Sequence, residues 1–173
     1  MRATLFLLIL AAASARASGQ PDPRTKMYKG PVRIPLSCRS QDLSVHHMTD
    51  EAAMGGVRMI VYAFKNKSAG PCTLKGYPRF ELLDKAGNVR PHGRAINSQR
   101  APGEETEQPP QLVRLEPGKE AAFRVDYRTG GAGYSGKPCP LSRRVRITAP
   151  GTTRRFVWRE EISLCSGLQV SSG

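Results

Sequence analysis

The sequence predicts an antiparallel β-sandwich of about seven strands, stapled by two disulfides. Three observations carry this. Apolar residues recur with period two, most clearly where Ala121, Phe123, Val125 and Tyr127 alternate with Ala122, Arg124, Asp126 and Arg128; this is the mark of a half-buried strand. No segment sustains the 3.6-residue period of a helix. Glycine–proline turns and four widely separated cysteines, Cys38, Cys72, Cys139 and Cys165, punctuate the alternating runs, as in exported all-β domains.

The first 17 residues stand apart from the fold. Met1-Arg2 is a charged head, and residues 3–13 are an apolar run about half as long as a membrane span. Ala13-Ser14-Ala15 and Ala15-Arg16-Ala17 are small-x-small cleavage sites. Together these predict a secretory signal peptide cut after Ala17, with Ala15 as the alternative. No cysteine lies near the cut to accept a lipid, so the expected product is secreted or periplasmic, with no membrane span after signal removal. Residues 18–37 follow as a polar, mobile segment with Pro21 and Pro23, and a lead-in strand at Val32, Ile34 and Leu36. Pro35 limits it to an edge strand or an extended lead-in. One domain then covers residues 38–170, an ordinary length for a single core.

Inside the domain, Leu43, Val45 and His47 alternate with Ser44 and His46 in a short strand, and residues 48–56 read as a loop ending in Gly55-Gly56. Residues 57–66, VRMIVYAFKN, are rich in β-branched and aromatic side chains and form the clearest early strand. A turn leads to Cys72 and the Gly76-Tyr77-Pro78 corner. Phe80 to Asp84 is a strand, residues 85–88 a hairpin turn, and Val89 opens a short return. Residues 95–110 carry Pro102-Gly103 and Pro109-Pro110 and read as a long loop. Leu112, Val113 and Leu115 restart order. Glu116-Pro117-Gly118-Lys119 has proline at the second turn position and glycine at the third, the type II pattern. Residues 129–136 are a glycine-rich connection.

The last hairpin fixes its own register. Val145 and Ile147 share one face of a strand, and Arg144, Arg146 and Thr148 the other. Beyond Pro150-Gly151, Phe156 and Trp158 share a face, with Arg155, Val157 and Arg159 opposite. A tight turn pairing Ala149 with Arg154 sets Ile147 across from Phe156 and Val145 across from Trp158, so the apolar residues meet on one side. The same register sets Cys139 across from Leu164, beside Cys165. A Cys139–Cys165 bridge follows, and Cys38 pairs with Cys72 by elimination. Each bridge contributes about 2–4 kcal/mol. Phe64, Phe80, Phe123, Phe156 and Trp158 are the expected large members of the core.

Four features occur in order: Asn66 with Cys72-Thr73-Leu74-Lys75-Gly76-Tyr77-Pro78; the Leu82-Leu83-Asp84-Lys85-Ala86-Gly87 strand-turn; Leu115-Glu116-Pro117-Gly118 before an alternating strand; and Cys139 with Thr148-Ala149-Pro150-Gly151 before the last hairpin and Cys165. This series resembles domain-of-unknown-function family 4232, a group of exported immunoglobulin-like domains. The resemblance covers about residues 38 to 170. It implies an immunoglobulin-like arrangement of the sandwich and brings no catalytic residues with it.

The formal net charge is +13, and losing Arg2 and Arg16 with the signal takes it to +11. Such a charge draws anionic partners. In an exported protein these are envelope polymers with phosphate or carboxylate groups, or an acidic protein, rather than nucleic acid. Arg144, Arg146, Arg155 and Arg159 fall on one outward face of the final hairpin, and guanidinium forks suit such groups. They are the candidate contact residues. Charged outer faces are also ordinary on antiparallel sheets, so a structural module without a ligand is the second reading.

A hydrolase with an unrecognised site is the third. Its motif support is thin: no G-x-S-x-G is present, and the cysteines are expected to be oxidised. The glycine run 130–136 lacks the Gly-Lys-Ser/Thr ending of a phosphate loop. His46 and His47 are adjacent and so point to opposite faces, and His92 stands alone. The expectation is no metal, no cofactor and no catalytic residue. Intact-mass measurement of the exported protein tests the signal reading. The expected N-terminus is Ser18; a product retaining Met1 or its following apolar run contradicts it.

Overall fold

β-Branched and aromatic side chains of residues 57–66 dictate an inner strand of a first sheet. The computed structural model describes residues 35–98, 109–130 and 136–172. The expected signal peptide, residues 18–34 of the expected mobile segment, and residues 99–108 and 131–135 of the two long connections lie outside the described residues.

Among the described residues, eleven strand segments account for nearly all the regular structure. β1 (Leu43–Ala53) and β2 (Val57–Asn66) form a long hairpin, and β3 (Cys72–Lys75) and β4 (Arg79–Leu83) follow. β5 (Val89–Arg94) and β6 (Ile96–Asn97) come next, then β7 (Leu112–Leu115), β8 (Glu120–Arg128), β9 (Leu141–Thr148), β10 (Arg155–Ser163) and β11 (Ser166–Ser172). The first sheet runs β1-β2-β8-β11-β6 and the second β10-β9-β4-β5, with β3 and β7 paired alongside. All pairings between these strands are antiparallel except β11 with β6. The period-two pattern marked about seven of these segments; the additional ones are short or exposed pieces that carry little apolar signal.

The core lies between the sheets. Tyr62, Phe64, Phe123 and Val125 enter from the first, and Phe80, Leu82, Val145 and Ile147 from the second, each nearly or fully buried. Tyr62 meets Phe80 across the layers with ring centroids 5.7 Å apart, and Phe64 stacks on Phe123 at 4.9 Å. Burial of each such side chain contributes about 1.5–3 kcal/mol. The Ile147–Phe156 and Val145–Trp158 pairs form as the pattern requires. Both cysteine pairs also form as expected, Cys38–Cys72 and Cys139–Cys165, each with Cα atoms 4.8 Å apart.

Three expectations change. Residues 48–53 continue β1 instead of looping, because β2 supplies hydrogen-bonding partners as far as Val57. Their side chains are exposed, so no burial imprints an apolar period on them. Phe156 is only partly buried and Trp158 is 37% exposed. Both face inward, but β10 is the edge of its sheet and reaches past the rim of the core. Finally, the 95–110 connection contains the two-residue strand β6.

Asn66 closes the lower corner. Its buried side chain donates to the carbonyls of Gly70 at 2.9 Å and Leu115 at 3.0 Å and accepts from the amide and hydroxyl of Ser68. Its backbone N–H donates to Lys119 and its carbonyl accepts from Gly118. One residue thus ties β2, the 67–71 turn, β7 and the 116–119 turn, with every polar group satisfied.

Two glycines with positive φ separate a local from a packing constraint. Gly118, φ 75°, has open space where a Cβ would sit, whereas at Gly56, φ 73°, a Cβ would lie 2.5 Å from the Gly130 carbonyl oxygen. Gly118→Ala should cost about 1–2 kcal/mol, the left-handed penalty alone. Gly56→Ala should cost measurably more in urea denaturation, because the clash with fixed backbone adds to it. Equal losses would contradict the close approach of these two segments.

Candidate functional site

Charged residues on the outward face of the second sheet sort into two groups. The antiparallel register places Arg159 across from Arg144, Val157 across from Arg146 and Arg155 across from Thr148, and directly opposed residues project to one side. The four candidate arginines therefore share a face, but their surroundings differ.

Arg146 belongs to the fold. Its Nε donates to Glu81 Oε2 at 2.7 Å, and Arg94 Nε donates to Oε1 of the same carboxylate at 3.2 Å. Glu81 is 3% exposed, and β9 and β5, which carry these arginines, flank β4 on either side. Burial pushes the Glu81 carboxyl pKa up, but the hydrogen bonds and charges of Arg146 and then Arg94 outweigh it and hold the group below the ordinary glutamate value. Arg144 is also engaged. Its guanidinium donates to the carbonyls of Asp84 at 3.0 Å and Lys85 at 2.6 Å, anchoring the β4–β5 turn.

At this end of the sheet an open cleft of about 870 Å³ lies between the β4–β5 turn and the β9–β10 hairpin. Leu83, Pro91 and Leu141 give it apolar wall; Lys85, Arg90, Arg143, Arg144 and Arg159 bring positive charge, and Asp84, Glu160 and Glu161 negative charge. Each carboxylate is occupied. Asp84 accepts the backbone N–H of Asn88 at 2.9 Å, and that bond holds its pKa below the usual aspartate value. Glu161 pairs with Arg143 at 3.2 Å, and Glu160 accepts the Tyr62 hydroxyl at 3.1 Å. Arg90 donates to the Leu141 carbonyl. The side chains of Lys85 and Arg159 have no hydrogen-bond or ion-pair partner among the described residues and line the cleft. Arg155 is exposed at the other end of β10.

The structure thus brings Arg144 and Arg159 together, ties Arg146 to Glu81, and leaves Arg155 outside the cleft. Lys85 and Arg90 escaped the sequence reading because they come from a different hairpin. The Glu160 carboxylate turns inward to Tyr62. His46 and His47 do point apart: His46 Nε2 is 3.3 Å from Glu120 on one side of the sheet, and the His47 ring lies 5.5 Å from the Tyr62 ring on the other. No helix among the described residues is long and apolar enough to cross a membrane.

The family model for the domain of unknown function DUF4232 matches residues 38–172, and the chain belongs to that family. No curated protein and no solved structure matches the chain.

Glu81 yields a stability prediction. Glu81→Ala leaves Arg146 with an uncompensated charge at a side chain only 17% exposed, and should cost about 3 kcal/mol. Replacing both partners, Glu81→Leu with Arg146→Leu, should recover most of that loss. The wild-type contribution is fully present above the unfolded glutamate pKa of 4.5 and is lost as the pH falls through the depressed folded value. Denaturant midpoints of wild type and Glu81→Ala should therefore converge in acid. A constant gap down to the lowest pH at which the protein folds would contradict the pairing.

Proposed function

We propose that this member of the DUF4232 family is an exported binding module without catalytic activity, which takes an anionic group into the cleft between the β4–β5 turn and the β9–β10 hairpin. The supporting observation is the uncompensated charge there. Lys85 and Arg159 converge on a cleft whose carboxylates are each already engaged. A guanidinium and an ammonium beside apolar wall suit phosphate or carboxylate groups. Two disulfides fit an oxidising compartment, and the apolar leader fits secretion or a periplasmic location. In that setting the available anions are phosphate- or carboxylate-bearing envelope polymers or acidic proteins, and we take the envelope polymer as the partner. The immunoglobulin-like form expected for the family is a common frame for such surface contacts.

Retention on an immobilised phosphate-bearing polymer, eluted with increasing salt, tests this reading. Wild type should elute later than a Lys85→Ser, Arg159→Ser double variant, and retention should fall as salt rises. The control is Lys67→Ser with Lys119→Ser, which removes the same charge from exposed turns elsewhere. A control that elutes as early as the cleft variant would reduce the binding to net charge and overturn the site. Wild type retained no better than the cleft variant would favour a structural module with no ligand.

A further inference from the structure

We infer that the rim where β1 meets β10 is a divalent-metal site, with His47, Asp50 and Glu160 as its protein ligands and zinc as the ion it suits. The inference does not rest on the anion-cleft reading, although Glu160 borders both places.

Two β-bulges create the site. β1 pairs His47 with Tyr62 and then, after a register shift at Met48, Thr49 with Val61 and Asp50 with Ile60. Tyr62 and Ile60 are both buried on the core side of β2. Without the extra residue Asp50 would project outward, since a one-residue slip reverses a strand's faces. The bulge instead sets Asp50 on the same side as His47. In the other sheet, the register of β10 slips between Arg159 and Ile162. Of the two glutamates there, Glu161 pairs outward with Arg143, while Glu160 reaches the hydroxyl of Tyr62 on β2. Bulges commonly re-aim side chains at functional sites, and here two, from facing sheets, aim at one point.

The geometry at that point is unfinished as a hydrogen-bond network. His47 Nε2 is buried and has no hydrogen-bond partner. It lies 3.2 Å from Asp50 Oδ1, close enough for an ion pair but misaligned for a hydrogen bond. His47 Nδ1 is 3.8 Å from Glu160 Oε2. One donor atom from each of the three residues can be chosen so that all lie within 4.8 Å of one another. Ligand atoms around zinc sit about 2.0–2.2 Å from the ion, hence up to roughly 4 Å apart. The Asp50 side chain, 47% exposed, can close the remaining distance by rotating. One imidazole with two carboxylates is a nitrogen–oxygen donor set that zinc accepts. Two carboxylates also balance the charge of a divalent ion. The Tyr62 hydroxyl, 3.1 Å from Glu160 Oε2, holds that ligand in place, as outer hydrogen bonds do at metal centres. Tyr62 is fully buried.

The test is calorimetric titration of the disulfide-intact protein with zinc chloride, with circular dichroism melts to verify folding of every variant. Wild type should show one saturable site. His47→Gln, Asp50→Asn and Glu160→Gln should each weaken it at least tenfold, and Glu160→Gln still offers Tyr62 an acceptor, which protects the fold. Tyr62→Phe, as a positioning change, should weaken binding by roughly tenfold or more. His46→Gln and His92→Gln should leave it unchanged. No saturable uptake by wild type, uptake that survives any of the three ligand substitutions, or loss on changing His46 or His92 would each overturn the site. Calcium binding as tightly as zinc would overturn the assignment of the ion.

Discussion

Glu81 sits on the outward side of β4, 3% exposed, between Arg146 of β9 and Arg94 of β5. The second sheet depends on this one carboxylate. Three adjacent strands present cationic side chains to the same face, and their mutual repulsion would oppose the pairing of those strands. A buried anion between two of the cations turns the repulsion into cross-strand attraction. The arrangement holds only while the partners remain together, since an unpaired charge in this position costs far more than the pair contributes. It also divides the arginines. Arg146 and Arg94 are committed to Glu81, and Arg144 to the carbonyls of the β4–β5 turn. What remains for a partner is the charge at the cleft, chiefly Lys85 and Arg159.

The sandwich delivers those side chains to one place through its strand order. Because β4 lies between β9 and β5 and runs antiparallel to β9, the β4–β5 turn emerges beside the start of β9. Lys85 therefore faces Arg143 and Arg159 although they are distant in the chain. On the first sheet the Asn66 node and the Cys38–Cys72 bridge fix the opposite corner, where turns that lack hydrophobic burial are held by satisfied polar groups and a covalent link. The conspicuous block from Asn66 through Pro78 is thus a folding device, and the surface chemistry gathers elsewhere.

The final hairpin was legible in the sequence because two independent constraints agreed. The alternation of Val145 and Ile147 with arginines gave the faces, and the short turn at Pro150-Gly151 gave the register; Cys139–Cys165 followed from them. The all-β class was legible for the same reason, since period two survives wherever one face is buried. Four things were not. The second half of β1 is exposed on both faces, so nothing selects an apolar period there. Trp158 alternates as a core residue should, yet alternation reports a side chain's direction and not how far the facing sheet extends. The approach of His47, Asp50 and Glu160 depends on two bulges, and a bulge breaks the very periodicity from which faces are read. The pairing of Glu81 with Arg146 and Arg94 needed the strand order β9-β4-β5, which no local pattern encodes.

The division of the arginines into structural and contact groups is the centre of this account. Guanidinium Nε–H NMR of arginine-labelled protein, titrated with inorganic polyphosphate at low salt, observes both groups at once. The Arg159 and Arg143 guanidinium signals should move and saturate together, while those of Arg146 and Arg94 hold their positions. Saturable shifts of Arg146 and Arg94 with Arg159 and Arg143 unmoved would contradict it.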